Sequence, residues 1–216
     1  MNEHAHLHVM KDSHMQDQID AYYWIHSDWA YFGGPRLAEL GERYNLKINH
    51  RPVDLETVYA RTGGIKLPYR SAERKNYRLL EMRRFRDILQ MPINLEPKFF
   101  CVTGKLPSWF VIAAEQMGFD VAQLSQSIMK AIWVEDRNTE DEATLLEIAQ
   151  DNALPGPELL ERAKDPATEL IYMRYTNEAI ARGVFGAPFY FFRGEAFWGQ
   201  DRLAMLTDTV AKALAK

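Results

Sequence analysis

Regular strand patterns occur only toward the two ends of this chain, and an unbroken series of helical patterns fills the stretch from about 55 to 182 between them. At the N-terminal end an aromatic-rich strand over 19–25, a helix over 28–44 and a strand over 47–53 form one unit. A strand–helix–strand unit this short requires a parallel pair joined by a right-handed crossover. Gly33-Gly34-Pro35 falls inside the helix, so a bend or irregular turn is expected there. At the C-terminal end, a strand over 189–192, the Arg193-Gly194-Glu195 turn and a strand over 196–198 make a hairpin. An amphipathic helix over 200–215 follows, with Leu203, Leu206 and Val210 on one face.

Between these ends the spacing predicts helices over 71–89, 108–117, 120–134, 140–151, 157–164 and 166–182. Thr62-Gly63-Gly64, Pro68, Pro92, Pro97, Pro107 and Leu154-Pro155-Gly156-Pro157 punctuate them. The expected class is α/β: a thioredoxin-like βαβ–ββα sheet with an all-helical domain inserted in it. The expected boundaries are a thioredoxin-like domain over 18–55 and 183–216, and an inserted domain over 56–182. Residues 1–17 are expected to be a disordered leader. Its histidines, His4, His6, His8 and His14, are read as part of that leader rather than as a metal site.

Composition narrows the partners. The 216 residues suffice for one or two domains, and 47% hydrophobic with 26% charged residues is ordinary for a globular protein. A net charge of −4 argues against nucleic acid or an anionic membrane as the main partner. No apolar run approaches the roughly 18 residues of a membrane span. The N-terminal stretch has no secretory pattern, and a single cysteine, Cys101, excludes a disulfide framework within the monomer. A cytoplasmic location is expected. Cys101 itself reads as a packed thiol.

Three corners could carry chemistry. The first is Ser27, where the strand Tyr22-Tyr23-Trp24 gives way to the helix. A redox protein of thioredoxin type would carry Cys-x-x-Cys here; Ser27-Asp28-Trp29-Ala30 cannot exchange disulfides. Ser27 could simply cap the helix. The same free N–H groups and dipole could also stabilise an anion such as a thiolate belonging to another molecule. The second is Gly186-Ala187-Pro188-Phe189. Pro188 could be an ordinary turn proline, or a cis-proline that leaves the main chain before it free to pair with an extended peptide. The third is Trp198-Gly199-Gln200-Asp201-Arg202, where Asp201 could cap the last helix or bind an α-amino group.

Elsewhere, the basic run Arg70, Arg74, Lys75, Arg78, Arg83, Arg84 and Arg86 reads mostly as a solvated helix face. Trp109 and Phe110 read as core. Tyr23, Trp24, Trp29 and Tyr31 read as core and rim aromatics, one of which could line a pocket for an aromatic substrate.

Taken together, the Tyr22–Tyr31 corner, Arg51-Pro52-Val53-Asp54-Leu55, Gly186-Ala187-Pro188 and Trp198-Gly199-Gln200-Asp201-Arg202 resemble the 2-hydroxychromene-2-carboxylate isomerase family, relatives of the kappa-class glutathione transferases. The resemblance runs from Ile19 to the C-terminus. It implies glutathione as cofactor and a small aromatic substrate, with a homodimer as the assembly. It also implies that Ser27 hydrogen-bonds the glutathione sulfur and that Ala187, before Pro188, pairs with the cysteinyl backbone. Gln200 and Asp201 would hold the γ-glutamyl end, and Arg74 would meet the tripeptide. Two positions depart from the pattern. Asp28 follows Ser27 where the family has proline, and an acid there opposes a thiolate unless it is paired or points away. Gly64 stands where the family has an asparagine.

The function expected is cis–trans isomerisation and ring opening of an aromatic catabolite through a thiol adduct. A kappa-like glutathione transferase or peroxidase, and a non-catalytic thioredoxin-like binding module, are the alternatives.

Overall fold

Residues 17–100 and 103–215 are described by a computed structural model. The leader expected over 1–17, apart from Asp17, lies outside the described residues, as does Cys101. The first strand, β1 (Gln18–Tyr23), leads into helix α1 (Asp28–Tyr44) and strand β2 (Lys47–Pro52). Ser27 caps α1 at its start, and Asn45, at φ 50°, ends it in the left-handed region that asparagine tolerates. β1 and β2 are parallel, pairing Gln18 with Lys47 through Tyr23 with Pro52.

Five longer helices and two of eight residues then intervene. They are α2 (Leu55–Thr62), α3 (Ala72–Leu89), α4 (Lys105–Gln116), α5 (Ala122–Trp133), α6 (Glu142–Asp151), α7 (Gly156–Ala163) and α8 (Pro166–Ala181), with a 3-10 turn at Leu67–Tyr69. Strands β3 (Phe189–Phe192) and β4 (Glu195–Trp198), a 3-10 turn (Gln200–Arg202) and α9 (Leu203–Leu214) complete the chain. The sheet order is β2-β1-β3-β4, with β3 antiparallel to both neighbours.

Side-chain alternation distributes the strands' residues between two cores. Ile19, Ala21, Tyr190 and Phe192 pack with Leu37 and Leu40 of α1 and Leu203, Leu206 and Val210 of α9. Tyr22, Phe189 and Phe191 face the other way, against Val58, Ile112, Tyr172 and Tyr175. This covering of both faces is why β3 is apolar at every position. A third cluster joins Ala30, Tyr31 and Phe32 of α1 to helices α4–α7.

Three features differ from the expectation, each for a local reason. α1 runs through Gly33-Gly34-Pro35 as one α-helix. Pro35 cannot donate to the Tyr31 carbonyl, and Gln126 of α5 supplies the missing donor at 3.3 Å. A Cβ at Gly34 would stand 2.2 Å from the Gln126 side chain, so the glycine is what lets that amide reach the backbone. α4 begins at Lys105 because Pro107 sits in its first turn, where no intrahelical N–H is needed. The last helix is divided, with a 3-10 turn at Gln200–Arg202 before α9. No helix among the described residues is long and apolar enough to cross a membrane.

Candidate functional site

β1 and β4 run in the same direction and β3 against them, so the ends of β1 and β4 and the start of β3 share one end of the sheet. The three corners singled out in the sequence therefore come together there. The Ser27 N–H bonds the Trp24 carbonyl at 2.9 Å, closing the turn out of β1. The Ser27 hydroxyl is buried and accepts from the Ala30 N–H at 3.2 Å, the bond of an N-cap. Among the described residues that is its only side-chain hydrogen bond. Because the hydroxyl only accepts, its own hydrogen is unspent.

Asp28 does not face the serine unpaired. Its Oδ1 accepts from the Trp29 N–H at 3.0 Å and its Oδ2 lies 2.7 Å from Arg78 Nη2. The two side chains are 8% and 11% exposed, so this is a buried ion pair. Burial raises the Asp28 pKa, and the charges of Arg78 and, further off, Arg70 oppose the rise. Arg78 thus leaves the solvated face on which the sequence had put it. Phe100 and Trp133 close over its guanidinium at 5.1 and 5.8 Å from their ring centres, covering a charge that the helix pattern alone would expose.

In front of this pair lies a cavity of about 280 Å³. Trp24, Trp29, Tyr59, Tyr69 and Phe100 give it aromatic walls, and Lys66, Arg70 and Arg78 give it cations. Ser27, Asp28 and Ala187 also line it. The Ala187–Pro188 peptide is cis, and the Ala187 main chain makes no hydrogen bond to a described residue. Ser27 and Ala187, read from separate motifs, therefore share one wall.

The other expected site residues lie outside the cavity. Arg74 is exposed on α3, while Arg70 just before that helix and Arg78 one turn further along both face inward. Gln200 is 2% exposed, and its side-chain oxygen is engaged by Arg36 of α1. Asp201 pairs with its neighbour Arg202 at 2.6 Å, each about half exposed. Trp109 and Phe110 sit in or against the core, as read.

Sequence reasoning missed Tyr59, Lys66 and Arg70. Their signal was weak: Tyr59 sits on the short α2, and Lys66 and Arg70 flank the 3-10 turn. Gly64 was the available hint. A Cβ there would come 2.0 Å from Tyr59 Cδ1, so the glycine makes room for that ring.

Comparison with known proteins agrees with this fold. The family model for a DsbA-like thioredoxin domain matches residues 18–211. A 2-hydroxychromene-2-carboxylate isomerase from Sphingobium xenophagum is 27% identical over 194 residues, covering 89% of this chain and 97% of that protein. Among solved structures, a 2-hydroxychromene-2-carboxylate isomerase superposes with a TM-score of 0.73 at 21% identity, covering 91% of this chain and 95% of that one. The cytosolic disulfide reductase DsbM from Pseudomonas aeruginosa, solved with glutathione, gives 0.66 at 18% identity, covering 92% and 97%. Over nearly its whole described length, the chain belongs to the DsbA-like thioredoxin-domain family and is similar to the 2-hydroxychromene-2-carboxylate isomerases.

Proposed function

We propose that the protein is a glutathione-dependent isomerase acting on a small aromatic substrate of the 2-hydroxychromene-2-carboxylate type. One observation carries this: a serine hydroxyl with an unspent hydrogen, and no cysteine, stands at the helix start inside an aromatic, arginine-bearing cavity beside the Ala187–Pro188 peptide. The relatives named 2-hydroxychromene-2-carboxylate isomerase support the substrate class. The glutathione complex of a protein of the same fold supports the cofactor.

The donor set suits a tripeptide thiol. The Ser27 hydroxyl donates to an anionic sulfur, aided by the N–H groups and dipole of α1. The unused main chain of Ala187 pairs with an extended peptide. Arg78 cancels the charge of Asp28, which removes the objection that an acid at this position raises. Gln200 and Asp201 would hold the γ-glutamyl end, Gln200 through its main chain because Arg36 engages its buried side chain, and Arg74 would meet the tripeptide from the exposed face of α3.

When bound, glutathione would supply a nucleophilic sulfur whose addition across a conjugated double bond, and later expulsion as thiolate with the double bond remade, would let the geometry change. Ser27 acts by stabilising charge and never becomes covalently attached. The tryptophan and phenylalanine walls hold the substrate ring flat and keep water from it. A cytoplasmic setting and a homodimer belong to the same proposal; a monomeric mass by light scattering would remove the dimer.

Calorimetric titration of glutathione across a pH series, for wild type and Ser27→Ala, tests the assignment. Binding should release a proton, and release should shrink in Ser27→Ala. Incubation with a hydroxychromene carboxylate should then yield an isomer of unchanged mass. A stable thioether product would move the assignment to a transferase, and no binding at millimolar glutathione would remove the cofactor.

A further inference from the structure

We infer that Arg70 is the carboxylate anchor of the cavity and that it makes the site selective for aromatic acids over their neutral counterparts. This deepens the proposed function by naming the group on the substrate that the protein recognises, and it rests on that proposal only for the catalytic use of the bound acid.

The cavity walls carry three cations against two carboxylates, Asp28 and Glu56. Two of the cations are already matched: Arg78 with Asp28 at 2.7 Å, and Lys66 with Glu56 at 2.8 Å. Arg70 has no carboxylate within ion-pair distance among the described residues. It is held by neutral acceptors instead, donating from Nε to the Ile65 carbonyl at 2.8 Å and from Nη2 to the Tyr59 hydroxyl at 3.2 Å. Those bonds orient the planar fork while leaving Nη1 unspent, and an oriented fork matches a carboxylate bidentately. The positive charge left over on the walls is thus placed on a preorganised group.

The rest of the wall selects what carries the carboxylate. Trp24, Phe100 and Tyr69 line the same cavity, and a volume of about 280 Å³ suits a small ring system. Gly64 belongs to the same device. With no Cβ there, the Tyr59 ring lies against the backbone, where a Cβ would come 2.0 Å from Tyr59 Cδ1. Its hydroxyl then reaches Arg70. Here the departure from the family's asparagine supports a positioning residue, Tyr59, for the anchor.

Trp24 and Trp29 line the cavity, so tryptophan fluorescence reports occupancy. The probes are trans-cinnamate and cinnamyl alcohol, titrated with and without saturating glutathione. Wild type should prefer the acid by about tenfold or more, the scale of a hydrogen bond to a charged group. Arg70→Met should abolish the preference and Arg70→Lys should keep part of it. Tyr59→Phe should reduce it without removing it, as should Gly64→Ala, and circular dichroism checks that each variant is folded.

Survival of the preference in Arg70→Met, equal binding of the two probes by wild type, or no binding of either, overturns the proposal. If Arg70→Met loses glutathione affinity but keeps the preference, Arg70 serves the tripeptide and the proposal also fails. If the preference is present but wild type does not bind glutathione, the anchor stands and the glutathione-dependent function falls.

Discussion

The two helix starts at one end of the sheet, Ser27 before α1 and Gln200 before α9, look alike in sequence and differ in what their side chains have left to offer. Both follow a strand, and both place a polar residue beside an acid. Ser27 spends its hydroxyl only as an acceptor, and its acid is cancelled by Arg78 from another helix. Gln200 is engaged by Arg36, and Asp201 leans on Arg202 in solvent. The contrast teaches that a helix terminus becomes a binding element according to the partners that other segments bring to it. The dipole alone is common to both.

The hardest test of that contrast is to remove a partner. Arg78→Met strands the Asp28 carboxylate in a buried position and should cost about 3–5 kcal/mol in urea unfolding. Burial holds the Asp28 pKa above its value in the unfolded chain. Stability from that group is therefore present below the ordinary carboxylate range and lost as pH rises through the raised folded value, so acidification should restore part of the loss. A deficit independent of pH would mean Asp28 is not the stranded charge.

Ser27→Ala should separate function from stability at the first corner. The cap is worth about 1 kcal/mol, whereas loss of a charge-stabilising donor should lower kcat roughly 10²-fold. Steady-state isomerase kinetics beside a melting curve read both. Equal kcat for the two proteins would reduce Ser27 to a cap.

At the Gln200 corner the order should reverse. Gln200→Leu removes the oxygen that Arg36 uses and leaves a half-buried cation short of a partner. The expected loss is about 1–3 kcal/mol by urea denaturation, with a smaller effect on kcat than that of Ser27→Ala. An unchanged unfolding midpoint would show that this corner is as open as the first. Asp201→Asn should have the smallest effect. Its exposed pair predicts a change within about 0.5 kcal/mol in stability, while glutathione affinity by calorimetry should weaken roughly two- to fivefold if the carboxylate holds the amino group.

Much of this architecture was legible along the chain because it rests on local chemistry. The α1 boundaries at Asp28 and Tyr44 coincide with the expected ones, since a serine cap marks the start and Asn45 the end. β3 was legible from Phe189-Tyr190-Phe191-Phe192, four apolar residues after a proline. Ser27 was legible as a cap for the same reason, whereas the sequence left the isomer of Pro188 open and the structure shows the Ala187–Pro188 peptide cis. Arg78 was not, because α3 has almost no apolar stripe to say which side faces in. Its burial comes from Phe100 and from Trp133 of α5, segments distant in sequence. Gln200 was placed at the right corner but without its partner, since Arg36 lies 164 residues away.

Backbone chemistry written into neighbouring residues was enough to dictate a βαβ unit, a closing hairpin and a cysteine-free helix start, because caps, turns and strand alternation act over a few residues. Which charges are matched and which are left for a ligand was decided by folding alone. Arg70 and Arg78 differ by only eight positions in the same basic run, yet one meets Asp28 and the other meets only neutral oxygens. That assignment depends on side chains brought within about 4 Å across the fold, the range at which an ion pair forms and which no local pattern encodes.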